Sequence, residues 1–451
     1  MSYYDDIQQN MEIKKMEINV IKRNGSQEPL NLEKIHKVVF WACEDITGVS
    51  ASEVEIRAQL QFFDGVKTKD IHETLIKSAS ELINEETPNY QYVAARLINY
   101  QLRKEVYGGP DPIHLYDLVK RNVETGKYDP ILLEKYSVEE WNELNNHIKH
   151  ERDFSLVYAA MEQFRGKYLV KNRVTNEFYE TPQVAYMLIA AILFVDEKEN
   201  RIEWIKDYYD AISTHEISLP TPIMGGARTP TKQFSSCVLI DSDDSLESII
   251  ATDAAVVRYV SKKAGIGINA GRIRAEGSPI RGGEVVHTGM IPFLRKFQSS
   301  LKSCSQGGIR GGAGTIYYPA WHLEFEDLIV LKNNKGTENN RLRQMDYGVQ
   351  LNKLMYKRLV SGENITFFSP KDIPGLLDAF YSDQEEFEKL YVEAENNPNI
   401  RKKTLPAIEV FSKIVMERKD TGRIYIQNID NANIHGSFKE DVAPITMSNL
   451  C

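Results

Sequence analysis

Four cysteines are the residues of this chain with the clearest capacity for redox chemistry. They are Cys43, Cys237, Cys304 and Cys451, and no two of them form a CxxC pair. This spacing excludes a disulfide scaffold and a four-cysteine zinc site, so no metal site is expected. Any cysteine with a function therefore acts as a thiol. The Ser-Ser-Cys sequence that ends at Cys237 is equally compatible with an ordinary strand, because a reduced cysteine is usually a small buried hydrophobe.

A second group of candidates surrounds a turn near the N-terminus. Two cations precede the turn and a third lies one helical turn into the next helix, so they can converge on a triphosphate beside a small, aromatic-free cleft for a base. Solvated surface charge explains the same residues equally well. The candidates are Lys22, Arg23, Glu28, Asn31, Lys34, His72 and Lys104.

Hydroxyl groups form a third group of candidates, in the proline-rich stretch before Cys237. Prolines at 220, 222 and 230 predict an extended path without a helix. This path would present the side chains of Thr221 and Ser236, whose hydroxyls can bind a diphosphate.

Two helices and a glycine-rich loop follow. Asp244 is predicted to cap the first helix, with Glu247 at the capping-box position. The loop over 303–315 contains neither a Walker A motif nor a dinucleotide fingerprint. Gln306 and Arg310 are its only side chains able to bond a base edge, and the glycines around them would let the loop change shape.

Composition limits the class of protein that carries these groups. The chain has 451 residues, a net charge of −9, and 42 % hydrophobic and 26 % charged residues. These values predict a soluble protein of several domains without a broad nucleic-acid surface. No window is apolar enough for a membrane span and no targeting segment is visible, so we expect a cytoplasmic protein that binds neither membrane nor nucleic acid.

Three regions are predicted from the patterning. Residues 17–107 form an α+β unit, with a hairpin turning at residues 24–25 and several helices. Residues 113–217 form a helical region whose stretch over 182–194 is too apolar for a surface helix. From residue 218, helices alternate with short apolar runs, and 12 of the chain's 27 glycines fall between 265 and 314. Glycines leave backbone amides unshielded, which suits contact with phosphate and ribose, although tight barrel turns explain them too.

Motifs in order along the chain resemble one family. The pattern VIKRNG, Glu28, Asn31 and Lys34 resembles a regulatory ATP-cone. The strings SLPTP, QFSSCVLI, AGIGINAGRIRA, SPIRGGE, NRLRQMDYGVQLNKLMYKRL, TGRIYIQN and the terminal SNLC resemble the large subunit of class I ribonucleotide reductase, over nearly the whole chain. The resemblance implies an α/β protein with an ATP-cone over 17–107, a helical region over 113–217, and the first half of a ten-stranded α/β barrel over 218–451.

The same resemblance implies catalytic roles. Cys451 matches the cysteine whose thiyl radical abstracts the 3′ hydrogen of the ribose, and Cys237 matches one of the two thiols that reduce the 2′ carbon. Asn449 matches the amide that orients the substrate hydroxyls. Cys304 matches no catalytic cysteine and is expected to be structural. The matching substrate-binding positions are Thr221, Ser236, Ala264 and Gly265.

The family resemblance also implies regulation by nucleotides. ATP or dATP would bind the ATP-cone, and deoxynucleoside triphosphates would bind a specificity site near a dimer interface. The matching specificity positions are Asp244, Ser245, Leu246 and Arg274, and the loop with Gln306 and Arg310 would report the effector's identity to the substrate base.

The implied partners are a second large subunit, a small subunit that carries the radical cofactor, and a thioredoxin- or glutaredoxin-like reductant. Since the sequence stops at Cys451, we expect a separate chain to supply the rest of the barrel, as in a split gene, an intervening element or partial processing. The chain alone is then inert. The alternatives are a catalytically dead nucleotide-binding regulator and a glycyl-radical enzyme, and the ATP-cone with SLPTP and FSSC favours the reductase over the latter.

Overall fold

The computed structural model describes residues 18–59, 62–231, 234–262, 264–306 and 310–449. They form two compact units, one ending at Phe234 and one beginning at Ser235. This boundary lies further along the chain than residue 218, where the sequence analysis begins its third region. Among the described residues, no helix combines the length and apolar character that crossing a membrane requires.

The first unit opens with a small sheet packed on helices. Strand β1 pairs antiparallel with β2 and parallel with β3, which confirms the predicted hairpin. Its turn contains Gly25, whose φ of +84° suits glycine. The elements are β1 (Asn19–Ile21), β2 (Gln27–Pro29), α1 (Leu32–Cys43), α2 (Ala51–Gln59), β3 (Val66–Lys67), α3 (Thr68–Ser80) and α4 (Tyr90–Tyr107).

The rest of the first unit is helical. Its α-helices are α5 (Leu115–Glu124), α6 (Ile131–Glu134), α7 (Val138–His147), α8 (Tyr158–Gln163), α9 (Pro182–Leu193), α10 (Arg201–Ser213) and α11 (Thr221–Gly226), with a 3-10 helix at His150–Ser155 and a π-helix at Phe164–Tyr168. Residues 182–191 are all buried, so α9 is the core helix that its sequence predicts.

Helix α11 corrects the prediction of an extended path through the proline-rich stretch. Pro220 is the N-cap residue and Pro222 occupies the first turn, where a missing amide hydrogen costs no intrahelical bond. The prolines therefore start a helix here, with Thr221 as its first residue.

The second unit is built on five strands whose neighbouring pairs are all parallel, in the order β14-β11-β10-β5-β4. They are β4 (Cys237–Asp241), β5 (Gly265–Asn269), β10 (Gly314–Pro319), β11 (Asp346–Leu351) and β14 (Ile424–Asn428). Three short antiparallel pairs accompany them: β6 (Pro279–Ile280) with β7 (Val285–Val286), β8 (Ser305–Gln306) with β9 (Arg310–Gly311), and β12 (Asn364–Phe368) with β13 (Lys402–Pro406).

Among the described residues of the second unit, eight α-helices accompany the parallel sheet. They are α12 (Leu246–Ser261), α13 (Ile291–Ser303), α14 (Phe325–Ile329), α15 (Lys353–Ser361), α16 (Leu376–Ser382), α17 (Gln384–Asn396), α18 (Ala407–Thr421) and α19 (Ile429–Ile434). Ile266 and Ile268 of β5 pack into this core with Val256 of α12 and Leu294 of α13. Side chains alternate along a strand, so the residues between them face the opposite side.

That opposite face is approached by residues 445–449, which we call the return segment. A Cβ built on Gly267 of β5 would overlap the carbonyl oxygen of Ser448 and would lie 2.9 Å from Cδ2 of Leu239. The return segment belongs to no helix or strand. It therefore lies against the sheet on the face that carries the alternate residues of β4 and β5.

A buried ion pair stabilises the first unit beside α11. Arg228 and Glu180 are both fully buried and form an ion pair. Arg228 Nε donates to Glu180 Oε2 at 2.7 Å, its Nη1 donates to the Met224 carbonyl at 2.7 Å, and Tyr128 donates to the same carboxylate at 2.7 Å. The pair thus ties α11 to the strand-like segment before α9.

We predict that Glu180→Gln lowers the free energy of unfolding of this unit by about 3–5 kcal/mol, because it leaves a buried guanidinium without its counter-ion. The matched control is Glu143→Gln, which breaks an exposed pair with Lys206 and should cost less than about 1 kcal/mol. Urea denaturation followed by circular dichroism measures both. Equal effects in the two variants would show that the buried pair contributes no more than a surface pair.

Candidate functional site

Cys237 is the first residue of β4 and is exposed on the face that the return segment approaches. Its register partner on β5 is Gly265, which has no side chain to shield the thiol. Ser236 precedes it, and the Ser236 hydroxyl lies 3.7 Å from the Cys237 sulfur. A sulfur in this position is accessible to a small substrate.

Asn449 ends the described part of the return segment beside the same strand pair. Its Nδ2 donates to the Gly265 carbonyl at 2.7 Å and to the Val238 carbonyl at 3.4 Å. Its Oδ1 is buried and accepts no hydrogen bond among the described residues. The amide is therefore held by its donor side and keeps an acceptor available for a hydroxyl group.

The structure brings together three of the predicted substrate-binding positions in this unit. Gly265 N donates to the Ser236 carbonyl at 2.7 Å, and Ala264 N donates to the Tyr259 carbonyl at 3.1 Å. The backbone amides of both positions are thus already engaged within the protein. Thr221 belongs to the first unit, where it begins α11. Cys451 lies outside the described residues.

The specificity residues meet through an ion pair. Asp244 Oδ1 accepts from the Arg274 backbone amide at 2.8 Å, and Oδ2 accepts from Arg274 Nε at 2.6 Å. The Asp244 side chain is only 3 % exposed, which leaves a neutral pair at the start of α12. Such a pair suits contact with the hydroxyls of a ribose.

The prediction that Asp244 caps this helix is wrong. Ser245 is the N-cap residue, and its hydroxyl accepts from Ser248 N at 3.2 Å. The guanidinium of Arg274 takes the Asp244 carboxylate instead, because a charge-assisted pair outweighs a single capping bond. Leu246, the first helical residue, is 62 % exposed.

Gln306 and Arg310 are register partners in the short β8–β9 pair. Their backbones therefore face each other across the glycine-rich loop, and residues 307–309 between them lie outside the described part of the chain. Cys304 ends α13 just before this pair and is half-buried.

The seven predicted ATP-cone residues do converge, in a cleft of about 760 Å³. Glu28 is the centre of its charges, with Lys22 Nζ at 2.7 Å and Lys34 Nζ at 3.3 Å. Asn31 instead caps α1, accepting from Lys34 N at 3.1 Å. The cleft thus holds several cations near one carboxylate, as a triphosphate with a sugar requires.

Tyr100 corrects the prediction of an aromatic-free cleft. Its ring lies 4.5 Å from Lys104 Nζ and 5.6 Å from the His72 ring. The sequence could have predicted this, because Tyr100 precedes the candidate residue Lys104 by one helical turn and therefore lies on the same side of α4. Asn24 and Thr68 also line the cleft and were not singled out from the sequence.

The charges of the cleft have opposite effects on its titrating groups. The hydrogen bond from Lys22 is the main cause that lowers the pKa of Glu28, with Lys34 adding to it. Burial, together with the smaller effect of the nearby charges of Lys104 and Arg23, lowers the pKa of His72 to about 4. His72 is therefore a neutral imidazole at physiological pH, and its Nδ1 has no hydrogen-bond partner among the described residues.

Metal ligands are not grouped anywhere in the described residues, where no cluster of three or more His, Cys, Asp or Glu side chains could hold an ion.

Comparison with known proteins matches three family domains to the chain. Residues 18–105 match the ATP cone domain, residues 154–232 the ribonucleotide reductase all-alpha domain, and residues 235–451 the ribonucleotide reductase barrel domain.

Similar curated proteins agree with these domain matches. The chain is 59 % identical over 433 residues to the ribonucleoside-diphosphate reductase subunit alpha of Haemophilus influenzae, and 59 % over 433 residues to the ribonucleoside-diphosphate reductase 1 subunit alpha of Escherichia coli. It is 34 % identical over 435 residues to the subunit alpha of Helicobacter pylori. Each match covers 96 % of this chain but only 57 %, 57 % and 54 % of the relative, respectively. The chain belongs to the ribonucleotide reductase large-subunit family and corresponds to its N-terminal portion.

Proposed function

We propose that this chain forms the N-terminal part of a ribonucleoside-diphosphate reductase, which converts ribonucleoside diphosphates to 2′-deoxyribonucleoside diphosphates for DNA synthesis. The observation that carries the proposal is that Cys237 and Asn449 both neighbour Gly265 of the parallel sheet, Cys237 as its register partner and Asn449 as a donor to its carbonyl. Cys237 is exposed there, and the buried Oδ1 of Asn449 accepts no hydrogen bond from the described residues. A nucleotide-binding regulator without catalysis needs neither group, so that alternative is not favoured.

The proposed reaction uses these groups in order. A thiyl radical at Cys451 takes the 3′ hydrogen atom of the ribose, and the acceptor of Asn449 holds a ribose hydroxyl in place. The 2′ hydroxyl leaves as water. Cys237 and a second thiol, which the family resemblance places beyond residue 451, supply two electrons and two hydrogens and become a disulfide. The hydrogen atom then returns from Cys451 to the 3′ carbon, which restores the thiyl radical.

Thr221 and Ser236 are proposed to hold the diphosphate, with the backbone at Ala264 and Gly265 shaping the cavity. Polypeptide beyond residue 451, in the same or a separate chain, would complete the barrel. A small subunit would generate the radical, a thioredoxin- or glutaredoxin-like protein would reduce the disulfide, and a second large subunit would complete the specificity site.

The two nucleotide sites are proposed to be regulatory. ATP or dATP would occupy the ATP-cone cleft, where His72 stays neutral and the lysines supply positive charge. A deoxynucleoside triphosphate would bind at Asp244, Ser245, Leu246 and Arg274, and the loop with Gln306 and Arg310 would transmit its identity to the substrate site.

Cys237→Ser in the reductase that contains this chain should reduce CDP turnover with a dithiol reductant to background, because one of the two reducing thiols is removed. Effector binding should be unchanged. Cys43→Ser is the matched control and should retain turnover, since burial raises the pKa of the Cys43 thiol to about 11 and keeps it inert. Turnover of Cys237→Ser at the wild-type rate would mean that this thiol is structural.

Lys22→Ala should weaken ATP binding to the cone roughly 10- to 100-fold, because a charged hydrogen bond contributes about 1.5–3 kcal/mol. Isothermal titration of ATP measures the effect. Lys77→Ala, which removes an exposed lysine of α3 outside the cleft, should leave the affinity unchanged. Equal affinities of the wild type and Lys22→Ala would mean that Lys22 is a solvated surface charge and does not bind ATP.

Asp244→Asn should weaken dTTP binding roughly 5- to 100-fold and blur the choice among substrates, since the ion pair with Arg274 is lost. ATP binding to the cone should be unaffected. Asp383→Asn serves as control because asparagine also caps helices well and Asp383 caps α17. Unchanged dTTP affinity in Asp244→Asn would exclude Asp244 from the effector site.

A further inference from the structure

Two buried side-chain amides form hydrogen bonds with the backbone of the return segment. The reaction described above assigns them no role. They are Asn433 in α19, which is 5 % exposed, and Gln350 in β11, which is fully buried. A buried amide is costly unless its donors and acceptors are bonded. The partners of these two amides therefore show what they do.

Asn433 binds both peptide groups of Ile445. Its Oδ1 accepts from Ile445 N at 2.6 Å, and its Nδ2 donates to the Ile445 carbonyl at 3.1 Å. The same Nδ2 lies 2.9 Å from the Tyr381 carbonyl and 3.0 Å from the Ile429 carbonyl. One amide thus joins α19, the end of α16 and the first residue of the return segment.

Gln350 binds the next residue of the segment. Its Nε2 donates to the Thr446 carbonyl at 2.7 Å and to Gln427 Oε1 at 3.0 Å. Its Oε1 accepts from the Tyr381 hydroxyl at 3.1 Å. Gln350 and Gln427 are register partners on β11 and β14, so this contact is fixed by the pairing of the strands.

The distance along the chain from these anchors to the candidate active site is short. Thr446 and Asn449 are three residues apart, which is about 10 Å of extended chain. Between them, Ser448 lies against Gly267. A shift of the anchored residues by one position would thus carry Asn449 away from the Gly265 carbonyl.

We infer that Gln350 and Asn433 are positioning residues for ribonucleotide reduction. They fix the register of the return segment on the sheet, and through it the location of Asn449. The inference rests on the proposed function. It assigns the two amides no contact with the substrate.

The test that separates positioning from packing is Gln350→Glu in the reductase that contains this chain. Glutamate keeps the shape of glutamine, and burial raises the pKa of its carboxyl. The protonated acid donates to the Thr446 carbonyl, whereas the carboxylate repels it. At about pH 8.5 we expect kcat for CDP to fall roughly 10- to 100-fold relative to the wild type, and to recover as the pH is lowered.

Gln384→Glu is the matched control. Gln384 Nε2 also donates to a backbone carbonyl, that of Phe380 at 2.8 Å, but that carbonyl lies outside the return segment. Its kcat relative to the wild type should stay within about twofold over the same pH range. A pH-independent kcat of Gln350→Glu equal to that of the wild type would overturn the inference.

A second variant, Asn433→Asp, tests the other anchor, with hydrogen exchange as a readout beside kcat. Hydrogen exchange of peptides covering residues 444–449 should become at least about tenfold faster, because the three carbonyls around residue 433 lose their donor. Faster exchange together with an unchanged kcat would overturn the positioning role, and so would unchanged exchange. Failure of the wild type to reduce CDP would instead contradict the proposed function, since the exchange measurement does not depend on it.

Discussion

The close approach of the return segment to β5 is the constraint on which the candidate active site depends. The Ser448 carbonyl occupies the space that a Cβ at position 267 would fill. Only glycine allows the two backbones to meet there, and this contact lets Asn449 reach the Gly265 carbonyl at 2.7 Å. Since Gly265 pairs with Cys237, the same contact sets the separation between the Asn449 amide and the Cys237 thiol.

The surroundings of the return segment differ from the two candidate nucleotide sites in how they accommodate charged side chains. Around the return segment, most of the hydrogen-bonding side chains are neutral amides and a phenol, namely Asn269, Gln350, Tyr381 and Asn433. The exception is Asp241, which bonds the Thr446 side chain and whose pKa is raised by burial. Neutral groups can be buried at low cost when every donor meets an acceptor. The effector position buries a charge only as the Asp244–Arg274 pair. The cone cleft instead keeps its cations near the surface, where the triphosphate that we propose would replace solvent as their partner.

Features of the fold and of the candidate site could be predicted from the sequence where they depend on residues close together in the chain, and not where they depend on partners far apart in it. The hairpin and the convergence of the cone residues follow from local turn and helix signals, and the structure confirms both. The prediction that Asp244 caps the helix was wrong because the residue that binds its carboxylate, Arg274, lies 30 residues further along the chain and gives no local signal. The extended path at 220–222 was wrong because proline also suits the first turn of a helix. Gln350 and Asn433 carry no local signal, since only the register of β11 with β14 and the return of the chain give them their partners.

We propose that Cys451 starts the reaction on a substrate held by this face of the sheet. The most direct test is the reduction of 3′-deuterated CDP by the reductase that contains this chain, compared with its Cys451→Ser variant. The account predicts a primary isotope effect on kcat/KM for the wild type and no reduction by the variant. Reduction of CDP by Cys451→Ser at the wild-type rate would contradict it.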